Sequence, residues 1–593
     1  MRVVNFGNFR GFANRQGFDG ERTVELRTFG KKIKIFLVIA YIIWLAASYY
    51  VMLPPMNIHS TETWSYLAFC VLLPGVVLLG IQNVSNFVRG GFDKKSLNTP
   101  VKIGVGLILI MIVGMAVLKL YGSEIFHAKR YASILQTKDY EFKEDINQAT
   151  AVTKIALMDT SSAVKLGNRE MGTLSELVSQ YNVSPDYSQI DYKGAPLKVS
   201  ALEYADFFKW WSNKDHGVPG YVSVDPVGQN AQYNELSQGM TYVPSAWFNK
   251  KLERHLRFNF PTKIFGNIHF EIDEEGKPYY VAPCYTYKIG LFSAKTACGA
   301  IVCDPVSGDC QYYDLKDVPQ WVDEVFDGEL IVEQYNWNGK LSNGFINSQF
   351  AKKGVKRATQ TKNDANENQP DYGYVSKDGD IWIYTGVTSV NEDASNVGFI
   401  LVNERTGDAH YFTIPGADEN SAMAAAEGEV QEKRYQASFP SLINVDENPT
   451  YVMVLKDASG IVKLYAMVNV ESYNIVTTAS SLDECFAQYR RRLNGGEASK
   501  PSNTDTENDK KTETKPEEPA SGESVEASFK IESIQYVDIS GDTYVYLEAS
   551  DGKVYRQRFS DNENLIKFRA GDEVKVTGTK RNETTVNILS ITK

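Results

Sequence analysis

Cysteine is scarce, with six in 593 residues, and one of them, Cys70, lies inside an apolar run. Cys284, Cys298, Cys303, Cys310 and Cys485 are an odd and sparse remainder, which excludes a disulfide scaffold. Histidine is equally thin. His59, His127, His216, His255, His269 and His410 are scattered, no H-E-x-x-H phrase occurs, and no two stand at metal-ligand spacing on one helix. Neither common phosphate loop is present, since G-x-x-x-x-G-K-S/T and a strand–G-x-G-x-x-G–helix unit are both missing. Positive charge is not in excess either. A formal net charge of −11 speaks against a nucleic-acid partner, which would need a basic face.

What the chain has is three apolar runs near its start: Ile35–Leu53, closed by Pro54 and Pro55, Trp64–Ile81, and Ile103–Leu118. Crossing a bilayer takes roughly 20 apolar residues, so all three read as membrane helices. Pro74 removes a backbone donor and predicts a kink in the second. A cleaved signal peptide fits poorly, because two more spans follow. Lys and Arg set the orientation. They crowd the segment before span one (Arg2, Arg10, Arg15, Arg22, Arg27, Lys31, Lys32, Lys34) and the second loop (Arg89, Lys94, Lys95, Lys102), and are absent from Pro54–Thr63. This predicts a cell-membrane protein with a cytoplasmic N-terminus and everything from about Tyr121 onward extracytoplasmic. His127, Lys129 and Arg130, just past span three, run against that trend.

A strand–turn–strand unit recurs in the long outer region. Gly299–Leu315 reads GAIVCDPVSGDCQYYDL and Gly398–Ile414 reads GFILVNERTGDAHYFTI. Gly220–Leu236 and Lys463–Ala479 keep the outline with altered turns. Helical segments are expected after each, at Ser245–Phe258, Val318–Phe326, Ser421–Tyr435 and Ser481–Leu493, and preceding hairpins at Phe270–Tyr287 and Tyr374–Tyr384. Period-two alternation buries one face of each hairpin, and stacked units share a core that none builds alone. Cys303 and Cys310 flank the turn Asp304–Asp309, where they either bond or remain thiols.

The phrases Val397–Tyr411 (VGFILVNERTGDAHY) and Ile301–Tyr313 (IVCDPVSGDCQYY) resemble PepSY-type repeats of bacterial envelope proteins. The chain over residues 30–493 also resembles an uncharacterised family of Gram-positive polytopic membrane proteins with one large outer domain, in phrases such as Ala156–Gln180, Leu202–Trp211, Asn343–Phe350 and Tyr384–Val390. The resemblance implies location and architecture and no activity.

The tail begins with Asn494–Ser528, a stretch without aromatics that is too polar to bury a core and is expected to be a disordered linker. Five short strand patterns follow, at Phe529–Val537, Thr543–Ala549, Val554–Phe559, Glu573–Thr577 and Thr585–Ile591. They resemble an OB-type barrel, with an SH3-like barrel or a sandwich fragment as alternatives. The expected class is therefore α+β. Residues 1–34 form a basic cytoplasmic segment, 35–121 a three-helix anchor, 122–493 the outer repeat domain, 494–528 the linker and 529–593 a small all-β domain.

No catalytic, cofactor-binding or metal-ligating residue stands out, and no cofactor is expected. Asp159 in Met158-Asp159-Thr160-Ser161 looks like half an aspartic-protease site, but that chemistry needs a second carboxylate. A turn aspartate is the default. Cys284 with His269 would make a thiol and base, and His216 completes the set to watch. Glu271-Ile272-Asp273-Glu274-Glu275-Gly276 lacks calcium-loop spacing and reads as a solvated turn. The expected function is a non-enzymatic, membrane-anchored interaction or scaffold protein of the bacterial envelope. Its partners would be the lipid bilayer and another envelope protein or cell-wall component, with homo-oligomerisation left open. The alternatives are a PepSY-type regulator or inhibitor of an envelope protease, or an accessory subunit of a transport or secretion assembly.

Overall fold

The computed structural model describes residues 31–81, 99–146, 148–149, 157–226, 228–362, 368–390, 395–458, 460–495, 524–539 and 542–550, and most of 553–592. Residues 1–30 of the basic N-terminal segment, 82–98 of the basic loop between spans two and three, and 496–523 of the expected linker lie outside these residues. The chain divides into two units, Met1–Ser502 and Asn503–Lys593.

Three helices are long and apolar enough to cross a membrane: Ile35–Met52, Thr61–Leu79 and Thr99–Tyr121. Pro74 has a visible consequence. The turn before it, Leu67–Leu72, is π-helical. A proline at position 74 leaves the carbonyl of Cys70 without its usual partner four residues on, and the Trp44 indole of span one supplies the missing donor at 2.9 Å. Tyr41 donates to the neighbouring Val71 carbonyl at 2.6 Å. Spans two and three pack closely, since a side chain at Gly104 would meet Val76 Cγ2 at 2.3 Å.

The loop Pro54–Thr63 is seated on the large domain. Met56 N donates to the Pro261 carbonyl at 2.7 Å, Asn57 Nδ2 to Thr262 at 2.8 Å, and Arg257 Nε reaches Leu53 at 2.9 Å. This loop and the domain therefore lie on the same side of the spans.

Among the described residues the large domain has four larger sheets, each built on a four-stranded antiparallel meander that follows chain order; the third also takes on Thr137–Asp139, parallel to Ala409–Tyr411. The first meander is Ser188–Tyr192, Ala195–Tyr204, Val218–Asp225 and Asn230–Met240. The second is His269–Ile272, Pro278–Ile289, Ser293–Cys303 and Cys310–Asp314. The third is Gly373–Lys377, Asp380–Ser389, Ser395–Asn403 and Ala409–Phe412, and the fourth is Ser441–Val445, Asn448–Lys456, Val462–Asn469 and Val476–Ala479. All four expected strand pairs are present, and a hairpin precedes each of them, not only the middle two. The turn in the fourth, Asp446-Glu447, runs through positive φ (47° and 65°) without a glycine.

Consecutive sheets share cores. Tyr221 and Val222 of the first pack with Phe270 and Tyr280 of the second, Val281 of the second with Ile383 and Ile400 of the third, and Phe399 of the third with Tyr451 and Met453 of the fourth. The fourth returns to elements of the first through Lys456 to Asp159 and Gln229 to Tyr465. Helices follow the first, third and fourth meanders at Leu252–Asn259, Glu419–Glu429 and Leu482–Leu493. The helix expected at Val318–Phe326 is displaced to Gly328–Leu341. The reason is local. The N–H groups of Asp323 and Glu324 donate to the Glu271 carboxylate, and those of Val325 and Phe326 to the Glu404 carbonyl, so none is free for a carbonyl four residues back. Cys303 and Cys310 sit directly across the second sheet's last hairpin, with Cα atoms 4.0 Å apart, and form a disulfide.

Among its described residues the second unit has five strands: Ser524–Ile539, Asp542–Ala549, Val554–Arg558, Glu573–Lys580 and Thr585–Thr592. The first pairs with the second and the fourth, the second with the third, and the fifth with the third and fourth. Phe529, Val545, Tyr555 and Val574 are among its core. The first strand starts at Ser524, earlier than the expected Phe529, because Ser524–Ser528 continue the pairing with Lys575–Thr579.

Candidate functional site

The meanders bring a group of ionisable side chains into the interior of the large domain. Glu271, on the first strand of the second sheet, is fully buried. Its carboxylate accepts from Asp323 N at 3.0 Å, Glu324 N at 3.1 Å and His269 Nε2 at 2.8 Å. Asp323 in turn accepts from Asp191 N of the first sheet at 2.8 Å and Ile381 N of the third at 3.2 Å. Ser376 donates to the Asp191 carboxylate. Three sheets are thus tied through two carboxyl groups.

Burial dominates the titration here. It pushes the Asp323 and Glu404 carboxyls well above their usual range, with Glu271 adding charge repulsion at Asp323 and Glu324 at Glu404. Glu324 is raised for the same reasons, burial first. Burial pushes the Lys198 ammonium down to about 8. At His269 burial opposes the charge, but Glu324 and the hydrogen-bonded Glu271 outweigh it and hold the imidazolium up to about 9.

His269 also lines a cleft of about 270 Å³, together with Ser184, Asp186, Glu203, Glu253, Phe265 and Tyr280 among others. Tyr280 is 3 % exposed and its hydroxyl has no hydrogen-bond partner. Burial raises its phenol far above the ordinary value, and the charges of Glu203 and Glu253 add to that. Glu203 is itself raised, by burial and then by Asp186 and Glu253, against a lowering hydrogen bond from Ser184. The cleft therefore combines three carboxylates with an unsatisfied hydroxyl over an aromatic wall. Three carboxylates against the single His269 cation leave the cleft acidic on balance, so an organic cation fits that chemistry: its N–H groups would be accepted by the carboxylates and the Tyr280 oxygen, and its carbon skeleton would lie on Phe265, away from His269.

The cleft carboxylates do not all come within 4.8 Å of one another, so they are not a preformed metal cage. Among the described residues the donor set that does close to that spacing is His255 with Cys303 and Cys310. There the two sulfurs are bonded to each other, and His255 Nε2 lies 2.7 Å from the Gly308 carbonyl.

Of the residues singled out in the sequence, Asp159 caps the helix Thr160–Thr173 through Ser162 N at 2.8 Å. It also pairs with Lys456, and although burial opposes it, that lysine holds the carboxyl below its usual range. His216 is exposed in the turn after Asn213. Cys284 is buried in the second sheet, and burial pushes its thiol up to about 12, which leaves it inert as a nucleophile. No hydrogen bond or ion pair joins any two of Asp159, His216, Cys284 and His269 among the described residues. The expected solvated turn at Glu271–Gly276 holds only from Asp273 onward. Glu271 points inward because strand alternation places it beside Asp323. Glu203, Glu253 and Tyr280 were not legible as a group: they lie on three separate elements and carry no shared motif.

No family model and no curated protein matches the chain. Solved structures that resemble it in part include a Synechocystis apocarotenoid oxygenase variant, at 8% identity over 51% of this chain and 50% of that one, with a TM-score of 0.12. An exo-beta-1,3-galactanase from Phanerochaete chrysosporium aligns at 11% identity over 66% of this chain and 73% of its own, and a B. megaterium levansucrase variant at 10% over 77% and 98%; both TM-scores are 0.16. The chain spans about half the length of the oxygenase. At these scores neither fold nor activity carries over.

Proposed function

We propose that the protein is a membrane-anchored interaction protein of the cell envelope, without catalysis of its own, whose cleft receives a cationic group of its partner. The observation that carries this reading is the Tyr280 hydroxyl, buried without a hydrogen bond in the field of Glu203 and Glu253. An unsatisfied buried hydroxyl costs stability in the free protein, and a ligand that pairs it recovers that cost. The non-catalytic part rests on the state of the polar groups. His269 is held as a cation, a poor general base at neutral pH, and Cys284 is held as a thiol. The Lys and Arg distribution supports an outward placement of the domain. The fourfold meander is compatible with the repeat reading and its PepSY resemblance, and the pairing of the C-terminal strands with an OB-type unit, for which no ligand is proposed.

The test uses the full-length protein in lipid nanodiscs and trilysine as the probe. Trilysine should raise the melting temperature, and its fully acetylated form should not. Tyr280→Phe and Glu203→Gln should each weaken the shift. Equal shifts with the acetylated peptide, or none with either, would overturn the cleft assignment. Protease added to intact cells should remove the large domain, and a protected domain would overturn its outward placement.

A further inference from the structure

Two exposed apolar patches lie where the large domain meets the spans. The first is an aromatic cluster on the helix Phe207–Asn213 and the turn Phe248–Lys250. Phe207 packs on Trp247 with ring centres 5.0 Å apart, and Trp210 packs on Phe248 at 5.7 Å. Phe208 and Trp211 pack on the outer edge of the same cluster, against Phe207 at 5.6 Å and 6.1 Å, and are 75% and 56% exposed. The cluster is fastened to the outer end of span one. Tyr50 donates to Asn249 Oδ1 at 3.0 Å, and Arg254 bonds the carbonyls of both Tyr50 and Phe248.

The second patch sits at the end of span three. The helix Glu124–Ala132 begins three residues after that span, and Lys340 pairs with its Glu124 at 2.7 Å. A groove runs between Ile125–Arg130 and Asn343–Asn347. Phe126 and Ile346 line it and stand exposed, and Phe350, 83% exposed, ends the short helix Phe345–Gln349 that carries Ile346.

Large apolar side chains in water are unfavourable, and two such groups at the exits of two spans have one environment in common. Each is flanked by cations: Lys209 and Lys250 beside the first, Lys129, Arg130, Lys352 and Lys353 beside the second. Tryptophan with lysine at the end of an apolar helix is the composition of a membrane interface. We infer that the large domain lies down on the membrane it emerges from, inserting these two patches at the boundary between headgroups and acyl chains, with the flanking lysines on lipid phosphates. The basic cluster at Lys129 and Arg130, which runs against the charge rule for an outer segment, then has a role at headgroup level. The inference holds whichever side of the membrane the domain occupies, and it is independent of the cleft.

The experiment places a nitroxide label at Phe208→Cys, Phe350→Cys or Tyr473→Cys in the full-length protein in phospholipid nanodiscs. Tyr473 is an exposed control on the fourth sheet, and unlabelled-site background is taken from the natural cysteines. All three sites are exposed, so labelling leaves the cores intact. Oxygen collects in the acyl region and a nickel chelate stays in water. The oxygen-to-nickel collision ratio should be several-fold higher at 208 and 350 than at 473. Ratios at 208 and 350 equal to that at 473 would overturn the proposal, and a high ratio at one site only would overturn its two-patch form. Spin–spin broadening at 208 or 350 would show a second copy covering the patch and would overturn it as well.

Discussion

The backbone N–H of Asp323 donates to Oε2 of Glu271 at 3.0 Å, across 52 residues of chain. Through that bond the loop after the second sheet becomes the tie between three sheets, because Asp323 in turn accepts from Asp191 and Ile381. Asp323→Ala leaves two buried N–H groups without acceptors. The expected loss is about 2–6 kcal/mol, from roughly 1–3 kcal/mol for each stranded group. Asp323→Asn keeps one carbonyl oxygen and should lose less. Chemical denaturation of both variants checks the order. Equal stability of wild type and Asp323→Ala would remove the tie from this account.

His269 makes the domain sensitive to alkali. Its folded pKa, about 9, lies above the ordinary 6.5, so the folded state binds the proton more tightly. The stability this contributes is complete below pH 6.5 and is lost as pH rises through 9. The gap of about 2.5 units sets an upper bound of about 3 kcal/mol. Melting curves of wild type and His269→Gln between pH 6 and 9.5 should converge toward alkali. Parallel curves would show that His269 carries no such charge.

Trp44 compensates Pro74 within the membrane. Trp44→Phe removes the donor to the Cys70 carbonyl and should cost about 1 kcal/mol in a denaturation assay from mixed micelles. In a Pro74→Ala background the helix supplies its own donor at that carbonyl, and the cost of Trp44→Phe should shrink. Additive costs would mean that the indole serves another purpose.

The thiol count is also fixed. Four cysteines are free, namely Cys70, Cys284, Cys298 and Cys485, so the denatured unreduced protein should titrate four thiols, and six after reduction. The bridge closes a short loop, and Cys310→Ser should cost about 2 kcal/mol in the chain-entropy picture. Six thiols without reduction would overturn the bond.

The sequence alone determined the three apolar helices and most hairpins, and for local reasons. Apolar runs of that length have few other stable environments, and a phrase such as Thr406-Gly407-Asp408 turns the chain through Gly407 at φ 74°. The preceding hairpins of the first and fourth meanders were missed: the fourth turns at Asp446-Glu447, where two acids in left-handed backbone leave no compositional mark, and the first was missed although Gly194 stands in its turn. Of the candidate site only His269 was legible, and for a role with Cys284 that the structure does not give it. Glu271 sits in an acidic stretch that reads as solvated, and Asp323 and Glu324 sit in a stretch that reads as helix. Glu203, Glu253 and Tyr280 lie on the first meander, the helix after it and the second meander. Tertiary structure decided them, since a buried carboxylate is stable only where donors from other strands converge on it, and those donors are backbone N–H groups that every residue but proline carries. A pattern of side chains cannot announce a partner that the sequence does not distinguish.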